Sequence, residues 1–283
     1  MGLKELYRKY LLQLQHIYPL SEATIITDRA FESIANIQRA DLLKDPSKQL
    51  NNKTNQQLSD AFTQLLQHKP IQYVLGEAWF YHLKFNVNEA VLIPRPETEE
   101  LVEMIIGSRK SLITDASILD IGTGSGCIAI AIKKNMPAAV VSAIDVSETA
   151  LEVAAENAKQ HSANINFMQM DFLDESTWDR LSQYHVIISN PPYIPNKEKE
   201  KLDKNVVDHE PHLALFVPDK DPLLFYDKIA AFGRSHLNSN GKIYLEVHED
   251  LANEAKALFQ KHYSYAEIKK DMFGRQRMLI ISI

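Results

Sequence analysis

A chain of 283 residues with 45% hydrophobic and 24% charged side chains is long enough to bury a substantial core and to hold two domains. Its net charge of −6 argues against a broad phosphate-binding face, and its single cysteine, Cys127, excludes an internal disulfide and a cysteine-built zinc site. No apolar run reaches the ~18 residues of a membrane span, and Lys4, Glu5, Arg8 and Lys9 interrupt any secretory signal, so the expected location is the cytoplasm, away from membranes.

Residues 1–75 read as a small helical bundle. Leu3, Leu6, Tyr7, Tyr10, Leu11 and Leu14 recur at helical spacing and define one face. Ser21 with Glu22 opens a second helix striped by Ile26, Ala30, Ile34 and Ile37, and Thr54-Asn55-Gln56-Gln57 reads as a capping box ahead of Leu58, Phe62 and Leu65. Nine Lys and Arg stand against seven Asp and Glu up to residue 75, a net of +2, which leaves 22 against 30, or −8, for the remainder. The period then changes. Trp79-Phe80-Tyr81 and Leu83 to Val87 predict a hairpin over residues 76–90 that bridges to a domain spanning 91–283. Pro94 and Pro96 stiffen the entry to a helix beginning near Thr98; Arg95 and Glu97 either help close a site or form a structural ion pair.

From there helices and strands alternate. The expected strands are Ser117–Ile121, Ala139–Asp145, Ile165–Met170, Val186–Ser189, Lys242–Val247, Tyr265–Ile268 and Met278–Ile281, the last two forming an antiparallel edge. The fold class is therefore α/β, a mostly parallel seven-stranded Rossmann-like sheet preceded by the helical bundle and the hairpin. The charge run Lys197 to Lys201 reads as a solvated, mobile loop and a candidate lid.

Two segments carry the chemistry. Gly122-Thr123-Gly124-Ser125-Gly126 joins the first strand of this sheet to the helix from Cys127, and its glycines allow positive φ and close approach of a ligand to backbone. The loop lacks the Lys-Ser or Lys-Thr pair of a phosphate-cradling P-loop, and its Gly-x-Gly-x-Gly spacing is not the dinucleotide fingerprint. Asp145 ends the next strand, where a carboxylate can accept from both ribose hydroxyls, with Ser147 the better placed helix cap. Asp171 and Phe172 end the third, as an acceptor for an adenine amine and a wall for its ring, or as a surface acid beside a core aromatic. The second segment, Asn190-Pro191-Pro192-Tyr193, is a proline-stiffened turn at the carboxyl edge of the sheet. It presents acceptors, and a substrate –NH₂ group needs a partner for each hydrogen once it leaves water. His209, Glu210 and His212 lack further clustered ligands, so no metal is assigned.

Together, Asp120 to Gly126, Asp145 and Asn190 to Tyr193 resemble the S-adenosylmethionine-dependent methyltransferases that modify planar nitrogen, in nucleic-acid bases or in protein glutamine. Gly76 to Phe80, Phe85 to Val87, Leu92-Ile93-Pro94-Arg95-Pro96-Glu97-Thr98-Glu99 and Glu210 to Leu215 are similar to the bacterial release factor glutamine methyltransferase family, the protein-(glutamine-N5) methyltransferases. Phe172 stands where a Trp is common, and Glu246-Val247-His248 lacks an expected Gly. The resemblance implies S-adenosylmethionine as cofactor, with S-adenosylhomocysteine as product, held by Gly122, Thr123, Gly124, Ser125, Gly126, Asp145, Asp171, Phe172 and Asn190. It implies class I release factors as the protein partner, recognised by residues 1–75, with no direct nucleic-acid binding and a monomeric enzyme. Asn190, Pro191 and Tyr193 would be the catalytic set: the Asn190 side-chain oxygen and the Pro191 carbonyl accept the two amide hydrogens, and Pro192 and Tyr193 complete the substrate pocket. A nucleic-acid adenine methyltransferase and a non-enzymatic cofactor-binding module are the competing readings.

Overall fold

The computed structural model describes residues 1–108 and 115–283. The chain divides into two compact units, Met1–Glu77 with Asp203–His209, and Ala78–Leu202 with Glu210–Ile283.

The first unit is helical: α1 (Leu3–Leu14), α2 (Leu20–Ala35), α3 (Arg39–Lys44), α4 (Asn52–Leu65) and α5 (Ile71–Leu75), with a further turn at Lys204–Val207. The α1 face closes on the bundle core as its spacing predicts, burying Leu3, Leu6, Tyr10 and Leu14. Tyr10 stacks on Phe62 at 3.9 Å, and Phe31 meets both rings edge-on at 6.2 Å. Three starts and stops differ from expectation. Helix α2 begins at Leu20 behind Pro19, ahead of Ser21. Helix α4 begins at Asn52, because the Asn51 side chain accepts from the Thr54 amide at 2.9 Å and caps it before the predicted box at Thr54 can act. Beyond Pro70, α5 adds one more turn, ended by Gly76 at φ +70°.

In the second unit, the hairpin strands β1 (Glu77–Phe80) and β2 (Leu83–Asn86) turn through Tyr81 and His82, both at positive φ, 48° and 62°. Two-residue hairpin turns of this hand favour Asn and Gly. Here α6 (Pro96–Gly107) holds the geometry, since Glu99 accepts from the Tyr81 amide at 2.9 Å and Glu103 from its hydroxyl. Helix α6 starts two residues before the expected Thr98, with Pro96 at the first helical position, where its missing N–H costs nothing.

The sheet strands follow as β3 (Ser117–Ile121), β4 (Val140–Asp145), β5 (Asn166–Gln169), β6 (Tyr184–Ser189), β9 (Leu237–Glu246), β10 (Tyr265–Lys270) and β11 (Gln276–Ser282), while β7 (Ile194–Pro195) and β8 (Phe216–Val217) make a separate parallel pair. Among the described residues the main sheet has seven strands in the order β10-β11-β9-β6-β3-β4-β5. Its central pairs are parallel, and β11 runs antiparallel to both β9 and β10. Helices α7 (Cys127–Asn135) and α8 (Glu148–Gln160) follow β3 and β4. Ile118, Ile130, Ile187 and Ile243 are fully buried in apolar clusters of this unit. Each such side chain contributes about 1.5–3 kcal/mol of burial free energy. The 197–201 charge run is not an open loop: Asn196–Lys201 forms a 3-10 helix, with Lys201 3.6 Å from Glu198 one turn back.

The strand order reverses between β3 and β6, and there the sheet positions the site. Ile121 pairs with Ser189 of β6 and with Ile144 of β4, so the glycine loop, Asn190 and Asp145 all leave the same carboxyl edge at neighbouring strands.

Candidate active site

Backbone conformation shapes the glycine-loop side of this edge. Gly122, Gly124 and Gly126 all have positive φ, at 73°, 54° and 79°. A Cβ on Gly122 or Gly124 would meet nothing within 4 Å, so these two face open space, whereas one on Gly126 would press Ala154 at 3.1 Å. Gly126 therefore serves the close approach of α7 to α8, and Gly122 and Gly124 leave room beside the loop. Thr123 points inward and donates to Asp120 at 2.7 Å; the Ser125 side chain is buried, and its carbonyl accepts from Asn157 at 2.9 Å.

Two carboxylates lie under and beside the loop. Asp145 accepts from the Gly124 amide at 2.8 Å and from the Ser147 amide at 3.0 Å. Ser147 also caps α8 through the Ala150 amide at 3.2 Å, so Asp145 is free of that task. Burial raises the Asp145 pKa against the pull of those amides. Asp120 is fully buried, and one of its oxygens has no partner. Its carboxyl is pushed up to about 7 by burial, with Thr123 opposing and the Asp145 charge adding to the rise. Burial thus disfavours the charged form of both acids.

A cavity of about 250 Å³ opens over this edge. Of the residues singled out from sequence, Gly122, Gly124, Asp145, Asp171, Phe172, Asn190, Pro191 and Pro192 line it. Thr123, Ser125, Gly126 and Tyr193 are not in its lining, and the first three support the loop from behind. Asp171 is exposed and accepts from the Leu173 amide at 3.0 Å. Phe172 is 5% exposed and stacks on Trp178 at 5.5 Å, with Phe232 edge-on. Sequence reasoning missed the apolar walls Ala90, Val91, Leu92, Met170, Leu213 and Phe225. The Arg95 to Glu210 ion pair fastens two of these walls. Glu210, buried, accepts from Arg95 at 2.5 Å and from the Ile93 amide at 3.2 Å, tying the segment before α6 to the one carrying Leu213. The sequence offered a structural ion pair for Arg95, but spacing alone does not point to Glu210, 115 residues on, as its partner. Among the described residues no group of three potential metal ligands occurs.

The Asn190 side is fixed by side chains. Asn190 Nδ2 donates to Thr98 Oγ1 at 3.2 Å, and Thr98 in turn donates to Glu246 at 2.7 Å. Tyr193 does not wall the cavity; its hydroxyl donates to the other Glu246 oxygen at 2.9 Å, and its ring meets His248 edge-on at 5.9 Å. Glu246 is 2% exposed. Burial raises its pKa, while Thr98, Tyr193 and the Arg277 charge hold it down. Burial, then the Glu246 charge, pushes the Tyr193 phenol far up, so it stays a donor.

A mostly parallel sheet with a glycine loop, a carboxylate at the next strand end and an Asn-Pro-Pro-Tyr turn at the switch point defines an α/β methyltransferase. Residues 99–212 match the family described as Methyltransferase small domain, and residues 5–76 that described as PrmC N-terminal domain. The chain is 42% identical to a release factor glutamine methyltransferase of Flavobacterium psychrophilum, over 100% of this chain and 99% of that one. It is 41% identical to another from Streptococcus pneumoniae, over 89% and 88% of the two chains. A methyltransferase of Pyrococcus furiosus shares the fold, with a TM-score of 0.51 and 22% identity over 80% of this chain and 100% of that one. The chain belongs to the release factor glutamine methyltransferase family. Among its described residues no helix is long and apolar enough to cross a membrane.

Proposed function

We propose that this chain transfers a methyl group from S-adenosylmethionine to the side-chain amide nitrogen of the glutamine in the Gly-Gly-Gln motif of peptide-chain release factors. The observation that carries the reading is the Asn190 amide at the cavity wall, its Nδ2 engaged by Thr98, which leaves Oδ1 as an acceptor for a substrate –NH₂.

The donor side fits the cofactor. Gly122 and Gly124 leave space beside the loop, and Asp145 lines the cavity next to them as an acceptor for a ligand's hydroxyl or amine groups. Asp145 would accept from ribose hydroxyls, Asp171 from the adenine amine, and Phe172 would lie against the ring. When bound, S-adenosylmethionine supplies a methyl carbon activated by a neighbouring sulfonium.

A carboxamide nitrogen is a poor nucleophile because its lone pair is delocalised into the carbonyl. Asn190 Oδ1 and the Pro191 carbonyl would accept its two hydrogens, hold the nitrogen in line and stabilise positive charge as it develops there. No general base is needed before the new C–N bond starts to form, because the nitrogen becomes acidic only then. Tyr193 would act from behind the wall, as a donor to Glu246. The helical unit would recognise the release factor.

Incubation with radiolabelled S-adenosylmethionine and, separately, a release factor, DNA or ribosomal RNA tests the assignment. Label is expected in the release factor, on glutamine. Label in nucleic acid alone, or nowhere, would overturn it.

A further inference from the structure

We infer that Glu246, acting through Thr98, is the positioning residue that sets which face of the Asn190 amide meets the substrate. The inference rests on the proposed glutamine methylation and deepens it.

The reasoning is one of hydrogen-atom supply. The hydroxyls of Thr98 and Tyr193 each donate to one oxygen of Glu246, at 2.7 and 2.9 Å, so both oxygens of that carboxyl group act as acceptors. Thr98 has one hydrogen, and it is used. Its oxygen can therefore only accept from Asn190, which turns Nδ2 inward, at 3.2 Å, and Oδ1 outward. The reverse amide would set two acceptors against each other, Oδ1 against the Thr98 oxygen, in a buried place where a missed partner is costly. It would also offer the substrate –NH₂ a donor. Arg277 lies close by: it is half-buried and donates to the Val247 carbonyl at 3.4 Å, and its charge partly offsets the rise that burial causes in the Glu246 pKa.

Glutamine at 246 reverses the logic. Its Nε2 can donate to Thr98, whose hydrogen is then released to Asn190 Oδ1, so that Nδ2 swings outward. Glu246→Gln, Thr98→Val and Thr98→Ser separate the relay from packing, because all three are close in shape to the residues they replace. For Glu246→Gln and Thr98→Val, kcat on a release factor is expected to fall by about 10-fold, the rate equivalent of one lost hydrogen bond. Calorimetric affinity for S-adenosylhomocysteine should stay near wild type in both, while the melting temperature should fall in Thr98→Val, where a buried Glu246 oxygen loses its donor. Thr98→Ser, which keeps the hydroxyl, should recover most of the loss.

Two readouts report amide orientation directly. Binding of a Gly-Gly-Gln peptide relative to its Gly-Gly-Glu counterpart should shift toward the glutamate peptide in Glu246→Gln, since an outward Nδ2 suits an acceptor. In nuclear magnetic resonance, cross-relaxation between the Asn190 side-chain hydrogens and the Thr98 methyl should be present in the wild type and lost in Glu246→Gln. Should Thr98→Val and Glu246→Gln retain wild-type kcat and peptide preference while the wild type methylates release factor, the relay is wrong and the function stands. If the wild type methylates no release factor, the function itself has failed. Were the cross-relaxation unchanged in Glu246→Gln, the relay would be wrong whatever the substrate.

Discussion

Asp145 finds its partners close at hand, in Ser147 two residues on and in Gly124 of the adjoining loop, whereas Asn190 takes its orientation from Thr98, 92 residues earlier in the chain, and through it from Glu246. The side proposed to hold the methyl donor is thus a product of local backbone geometry, and the side proposed to hold the acceptor a product of tertiary structure that brings α6, β6 and β9 together. A locally built site tolerates change elsewhere in the fold. The acceptor side depends on three separate elements arriving in register, and it fails if any one of them does.

The sharpest way to break this division is Asn190→Ala. It should cost about 2.7–4 kcal/mol in transition-state stabilisation, as for one lost oxyanion-type contact, with donor affinity by calorimetric titration unchanged. Unchanged turnover would remove Asn190 from the chemistry. Gly124→Val attacks the other side: a branched side chain at φ +54° costs about 1–3 kcal/mol in backbone strain and fills the space beside the loop, so donor binding should be lost. Normal affinity in that variant would mean that the loop does not hold the donor.

A pH series sharpens the donor side further. Folding raises the Asp120 pKa from 3.8 to about 7, so the folded chain keeps this proton to a higher pH than the unfolded chain. Its contribution to stability is fully present below the unfolded value and is lost as the pH rises through the folded one, on the order of 1 kcal/mol per pH unit across that window. Chemical denaturation should show the wild type losing stability relative to Asp120→Asn as pH rises from about 5 to about 7. Parallel curves would exclude the buried acid as the cause. The smallest expected effect is that of Ser147→Ala, which removes the α8 cap for about 1 kcal/mol of stability, read as a lowered melting temperature, and should not touch the Asn190 side.

The same division governs what could be read in the sequence. Strands such as Ser117–Ile121 and the edge hairpin near residues 265–282 announce themselves as apolar runs bounded by polar turns, and the resulting sheet order puts both marked loops on one edge. The α1 stripe was legible for the same reason, since its period is local. Asn51 capping α4 ahead of Thr54 was not, because several polar residues in a row compete for one role and only the arriving backbone decides. Nor was the Tyr81-His82 turn, whose positive φ values are held by Glu99 and Glu103 from another element. The placement of Tyr193 belongs with these. An aromatic next to two prolines suggests a pocket wall, and only Glu246, 53 residues away, explains why its hydroxyl turns to the interior.

The most direct test is a crystal structure of the protein with S-adenosylhomocysteine and a Gly-Gly-Gln peptide. The glutamine nitrogen should lie about 3 Å from both Asn190 Oδ1 and the Pro191 carbonyl, with the nucleoside beside Gly122 and Gly124. A glutamine bound elsewhere, or one whose carbonyl faces Asn190, would contradict the account.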